Sequence, residues 1–200
     1  MTASNPASLR RLVARSDSHP ALVVSESGAA LSYAALQRAL DRAVGRLATL
    51  GVRAGDRVAL VAANGPALIV AFLAIVASGA AAAPLNPALG KAELIAELDD
   101  LRVSRLLHDG AAGAIAAAAQ SNVPASVIDM VDARLHIDGE AGQAIEDAGN
   151  PDALALLLHT SGTTSKPKTV PIRQRNLVAS TAAVARLGNR KMVRPVGPSS

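Results

Sequence analysis

From Arg57 onward, short apolar runs bounded by Gly, Pro, Asn or Asp alternate with segments of helix length, and this alternation limits the fold more than any other feature of the chain. The run 57–62 (RVALVA) shows no polar alternation, as a strand covered on both faces requires. Asn64, Gly65 and Pro66 then turn the chain into a helix expected over 67–78. The same unit recurs as strand 80–84, helix 91–101, strand 105–108, an Ala-rich helix 112–120, strand 125–128 and strand 154–158. Upstream, residues 31–50 read as an amphipathic helix with Ser32 as N-cap, apolar positions at Leu36, Leu40, Val44 and Leu47, and Gly51 just past its end. The pattern predicts an α/β fold, a mostly parallel sheet flanked by helices. Residues 129–152 are polar and hold Gly139, Gly142, Gly149 and Pro151, so a surface excursion with at most one short helix is expected there.

Composition removes several function classes. One Phe, one Tyr and no Trp leave no aromatic platforms on which single-stranded nucleic acid could stack. The formal charge of +4 is a local feature, because every charged side chain after Asp152 is basic while earlier segments mix both signs. No cysteine is present, which rules out disulfides and thiolate metal sites and agrees with a cytoplasmic location. The apolar stretch 67–83 is interrupted by Ser78 and Gly79 and is too rich in Ala for a membrane span, so a buried helix followed by a strand is expected. His19, His108, His136 and His159 lack metal-ligand spacing, and the first three read as surface or loop residues. His159, at the mouth of the last apolar strand, is assigned a positional role rather than proton transfer. Asp99 and Asp100 read as a solvated helix end, and Asn86–Pro87 as a turn after a strand.

The chemistry concentrates after residue 158, where a buried strand delivers the chain into HTSGTTSKPKTV. Thr160, Ser161, Thr163, Thr164 and Ser165 offer hydroxyls, Gly162 lets backbone approach a ligand, and Lys166 and Lys168 supply positive charge. Together they suit the oxygens of a triphosphate, and a solvated Ser/Thr loop is the alternative. The G-x-x-x-x-G-K-[ST] spacing is absent, so this is not a Walker loop.

The segment TSGTTSKPKTV also resembles the phosphate-binding motif of adenylate-forming enzymes, T-S-G-T-T-G-x-P-K-G. Upstream, LSYAAL, GVRAGDRVAL and NGPALIVAFLAIVASGAAAAPLNPAL are similar to successive segments of the acyl-CoA synthetase N-terminal region, so the resemblance runs from about Leu9 to Ala185. With His159 in front and Ser165 in place of Gly, the motif looks most like the branch that includes oxalate-CoA ligases and peroxisomal-type CoA synthetases. The resemblance implies an AMP-forming acid-CoA ligase that uses ATP, Mg2+ and CoA and acts on a small-molecule carboxylic acid. It places the β- and γ-phosphates on Thr160, Ser161, Gly162, Thr163, Thr164, Ser165, Lys166 and Lys168. Thr164 is then the expected magnesium ligand, and Lys168 the expected catalytic residue at the leaving pyrophosphate. Ser165 and Thr169 depart from the family by replacing glycines, which biases the loop's freedom.

The family's downstream segments for the substrate pocket, adenine, ribose and the adenylating lysine do not occur before Ser200. Residues 1–185 are therefore expected to form an incomplete N-terminal domain, inactive by itself and prone to aggregate through open sheet edges. From Arg186 apolar periodicity fades, and 186–200 is expected to be an aberrant basic tail, disordered or frame-shifted. Two other functions fit the same motif: a non-catalytic nucleotide-binding module, and the adenylation unit of a peptide synthetase.

Overall fold

The structure, a computed structural model, describes residues 9–14, 17–23, 28–131, 134–138, 150–160 and 168–191. A short helix α1 (Leu9–Val13) and an antiparallel pair, β1 (Pro20–Val23) and β2 (Ala30–Ser32), precede the alternating region. Helix α2 (Tyr33–Thr49) starts as its sequence dictates: the Ser32 hydroxyl accepts the Ala35 N–H at 3.2 Å, and Gly51 follows the end with φ +87°. Its stripe of Leu36, Ala39, Leu40, Ala43, Val44 and Leu47 is buried.

Strand β3 (Arg57–Val61), helix α3 (Pro66–Ala77), strand β4 (Ala81–Pro84), helix α4 (Lys91–Leu101), strand β5 (Arg105–His108) and helix α5 (Ala112–Ser121) follow in the expected order. Strands β6 (Ala125–Val131), β7 (Arg134–Ile137), β8 (Leu154–Thr160) and β9 (Lys168–Arg173) and helix α6 (Gln174–Lys191) complete the described chain. The main sheet has seven strands in the order β7-β6-β5-β3-β4-β8-β9. Its five central strands, β6 to β8, are parallel, and the outer two pair antiparallel.

Strand alternation divides the interior into two cores. Val58, Leu60 and Ala82 face α2 and α3, while Ala59, Val61, Ala81 and Ala83 face Leu94, Leu98 and Leu101 of α4 and Ala114 and Ala117 of α5. Helix α3 packs against α1, α2 and the sheet, which explains its apolar surface all round. It spans only twelve residues, and no helix among the described residues is long and apolar enough to cross a membrane. Gly79, which ends this unit, has φ +81°, and a Cβ there would sit 3.0 Å from the Ala54 Cβ.

Two expectations need correction, and one element was not expected. The polar stretch after residue 128 begins as structure: β6 runs on through Val131, and β7 pairs back on it with Leu135 and Ile137 buried and Arg134 and His136 exposed. Four residues of alternation were too short to stand out among the glycines and charges around them. The segment after the phosphate motif, to which no element was assigned, is a strand, β9, which takes the sheet edge where Pro171, lacking an N–H, is tolerated. Finally, His108 is a core residue at 3% exposure, because it ends the central strand β5 between β3 and β6. Helix α6 extends to Lys191, and residues 192–200 of the expected basic tail lie outside the described ones.

Candidate phosphate-binding site

Parallel pairing brings the C-terminal ends of β3, β4 and β8 to one edge of the sheet, with Leu60 opposite Pro84 and Ala82 opposite Leu156. After β3 the chain enters α3 on one face; after β4 it enters α4 on the other. Adjacent parallel strands whose connections part in this way open a crevice at their carboxyl ends, the usual ligand position in open α/β sheets. A cleft of about 380 Å³ lies there, lined by Ala62, Asn64, Leu68, Pro84, Leu85, Asn86 and Pro87. The turn at its rim is the expected one, since the Asn86 side-chain oxygen accepts the Ala88 N–H at 2.9 Å.

One strand further on, β8 carries the hydroxyl-rich motif out at the same edge. Thr160 and Lys168 are register partners at the ends of β8 and β9, so the backbone holds these two expected phosphate ligands directly across from each other. Ser161, Gly162, Thr163, Thr164, Ser165 and Lys166 belong to 161–167, outside the described residues. An irregularity in the β8 pairing between Leu154 and Leu156 sets which side chains face which helix layer. Ala155 enters the α2/α3 core, whereas Leu157 enters the α4/α5 core.

His159 is the last side chain described before the loop, and α4 holds it. Its Nδ1 is in close contact with Glu97 Oε2, and neither atom has a hydrogen-bond partner among the described residues. Its Nε2 lies 3.1 Å from Asp100 Oδ2 and 2.8 Å from Thr169 Oγ1. The imidazole is 9% exposed, so these contacts enclose it. Glu97 and Asp100, three residues apart, sit on one face of α4. The expected solvated helix end is right for Asp99 and Asp100, which are exposed, yet Asp100 still reaches His159. Sequence reasoning missed Glu97 and the two carboxylates' shared target. An acidic pair in a helix carries no sign of a histidine some sixty residues away. His108, at the same sheet edge, accepts the Gly110 N–H at Nδ1 (3.1 Å). Burial lowers its pKa, against the smaller upward pull of Asp109 and Asp138.

A sequence model of the AMP-binding enzyme family matches residues 9–196. The chain belongs to that family. Among curated proteins, oxalate–CoA ligase of Arabidopsis thaliana is 39% identical over 160 residues, covering 75% of this chain and 31% of the relative. Bacitracin synthase 3 of Bacillus licheniformis is 30% identical over 148 residues, covering 74% of this chain and 2% of that much longer protein. Among solved structures, ATP-bound MatB from Rhodopseudomonas palustris superposes with a TM-score of 0.77 at 26% identity, over 90% of this chain and 37% of that one. The family member thus spans about a third of the length of such ligase relatives, and its mixed α/β sheet corresponds to a part of their fold. The match runs through HTSGTTSKPK and ends beyond Ala185.

Proposed function

We propose that this chain carries the triphosphate-holding part of an ATP-dependent, AMP-forming acid–CoA ligase. One observation supports this above others: a hydroxyl- and lysine-rich motif leaves a parallel strand at the carboxyl edge of the sheet, with Thr160 and Lys168 paired across its base. In the reaction, a substrate carboxylate oxygen attacks the α-phosphorus of ATP. The bond to the bridging oxygen breaks, and pyrophosphate leaves as the acyl-adenylate forms. The sulfur of CoA then attacks the acyl carbon, the thiol proton is lost, and AMP departs.

The part of these residues is electrostatic. Hydroxyls of Ser161, Thr163, Thr164 and Ser165, with backbone at Gly162, donate to β- and γ-phosphate oxygens, and Lys166 and Lys168 offset the charge that gathers on pyrophosphate. Magnesium, held with the help of the Thr164 hydroxyl, would add charge neutralisation between the phosphates; hard oxygen donors suit that ion. Similarity to an oxalate–CoA ligase makes a small carboxylic acid the favoured substrate class. Absence of cysteine agrees with work in the cytoplasm. On its own the chain is assigned nucleotide binding without turnover.

Calorimetric titration of the 200-residue chain with magnesium-ATP tests this. Saturable binding is expected, weakened about tenfold or more in Lys168→Ala and in Thr164→Ala, the scale of a charge-assisted hydrogen bond. No binding by the unaltered chain would sink the proposal, and carboxylate-dependent exchange of pyrophosphate into ATP above background would refute the lack of turnover. Similarity to bacitracin synthase 3 favours a second reading, an adenylation unit that hands its acyl group to a carrier protein. A longer form of the protein that transfers acyl groups to a carrier thiol and not to CoA would decide for it.

A further inference from the structure

The enclosed histidine at the root of the loop has a use beyond filling space. Both ring nitrogens of His159 face carboxylates of one helix, and the same ring touches Thr169, its register partner across the hairpin. Three elements, α4, β8 and β9, therefore meet at His159, one residue before the expected phosphate ligand Thr160, and its partner Thr169 stands one residue after Lys168. The two carboxylates meet different ring nitrogens, and among the described residues no group of three His, Cys, Asp or Glu could hold a metal ion. A core filler would not need this arrangement. An apolar residue of similar size would present no polar atom to the carboxylates of Glu97 and Asp100 or to the Thr169 hydroxyl.

We propose that His159 is a positioning residue for ATP binding: it fastens both ends of the phosphate loop to α4, with Thr169 as the link to β9. This rests on the assignment of 160–168 as the phosphate loop. A hairpin whose last pair is tied to a helix has fewer conformations to lose when a triphosphate docks, and the ligand then binds more tightly. Thr169 stands where relatives of the motif have glycine. Its hydroxyl supplies the link that a glycine could not, so the departure in sequence and the contact in structure explain each other.

Two readouts on the full chain separate this proposal from the reading it rests on. Amide hydrogen exchange without nucleotide reports the fastening, and magnesium-ATP affinity reports its use. Glu97→Gln, Thr169→Val and Thr169→Ser leave the apolar core untouched, and His159→Gln joins them where it folds. Thr169→Val and Glu97→Gln are expected to speed exchange about tenfold at 157–160 and 168–170 while β3 and β5 stay protected. Both are expected to weaken magnesium-ATP binding severalfold, and Thr169→Ser, which restores the hydroxyl, to recover both properties. Unchanged exchange in Thr169→Val and Glu97→Gln would overturn the fastening whatever the nucleotide does. Faster exchange with unchanged ATP affinity would overturn the positioning role. If the unaltered chain binds no ATP while exchange still responds to the variants, the phosphate assignment fails, and the positioning role fails with it.

Discussion

Single residues here carry consequences that their neighbours in sequence do not reveal. His108 ends a central strand, and burial pushes its pKa below the ordinary histidine value despite Asp109 and Asp138. The unfolded chain therefore takes up a proton near pH 6.5 that the folded chain resists, and stability is lost as pH falls from there toward the lowered folded value. His108→Asn, which keeps an acceptor near the Gly110 N–H, is expected to flatten that decline when urea midpoints are measured between about pH 5 and 7. Gly79 is a second such position. It adopts φ +81° against Ala54, so Gly79→Ala combines a strained backbone with a Cβ contact at 3.0 Å. A loss of roughly 1–3 kcal/mol in urea unfolding is expected; a change within a few tenths would show that the turn relaxes freely.

Helix ends and helix faces set the next level. The Ser32 cap holds the start of α2, which covers one side of the sheet, and Ser32→Ala is expected to cost about 0.5–2 kcal/mol in thermal or urea unfolding. Helix α6 is tied at its first residue instead. Gln174 is 3% exposed, accepts the Leu9 N–H at 3.0 Å and donates to the Val76 carbonyl at 3.1 Å. One side chain thus joins α1, the end of α3 and the start of α6. Gln174→Leu would strip the buried Leu9 N–H of its acceptor, and a loss of about 1–3 kcal/mol is expected, with α1 the first segment to gain hydrogen exchange. Helix α4 works on both faces. Leu94, Leu98 and Leu101 seal the second core, while Glu97 and Asp100 reach the root of the candidate phosphate loop. Packing of the apolar face therefore sets the position of the carboxylates.

At the scale of the whole molecule, β9 holds one outer edge of the seven-stranded sheet. Val170 and Leu158 show 41% and 37% exposure on neighbouring strands. Pro171 gives this strand one N–H fewer for further pairing, as suits an edge. Val170→Lys is expected to raise the protein concentration at which light scattering reports association, with little change in unfolding midpoint; scattering identical to that of the unaltered chain would locate any association elsewhere. The sequence by itself determined the βα alternation, its mostly parallel sheet, the Ser32 cap and the hydroxyl-rich motif, because each is written in contiguous residues through period, capping chemistry or spacing. Runs such as 57–62 are buried on both faces and could be little else. Only the tertiary structure decided the strand order, the β6–β7 and β8–β9 pairings, the burial of His108 and the meeting of Glu97, Asp100 and Thr169 on His159. Those depend on which elements become neighbours, and contacts between residues far apart in the chain leave no local period, cap or spacing to read.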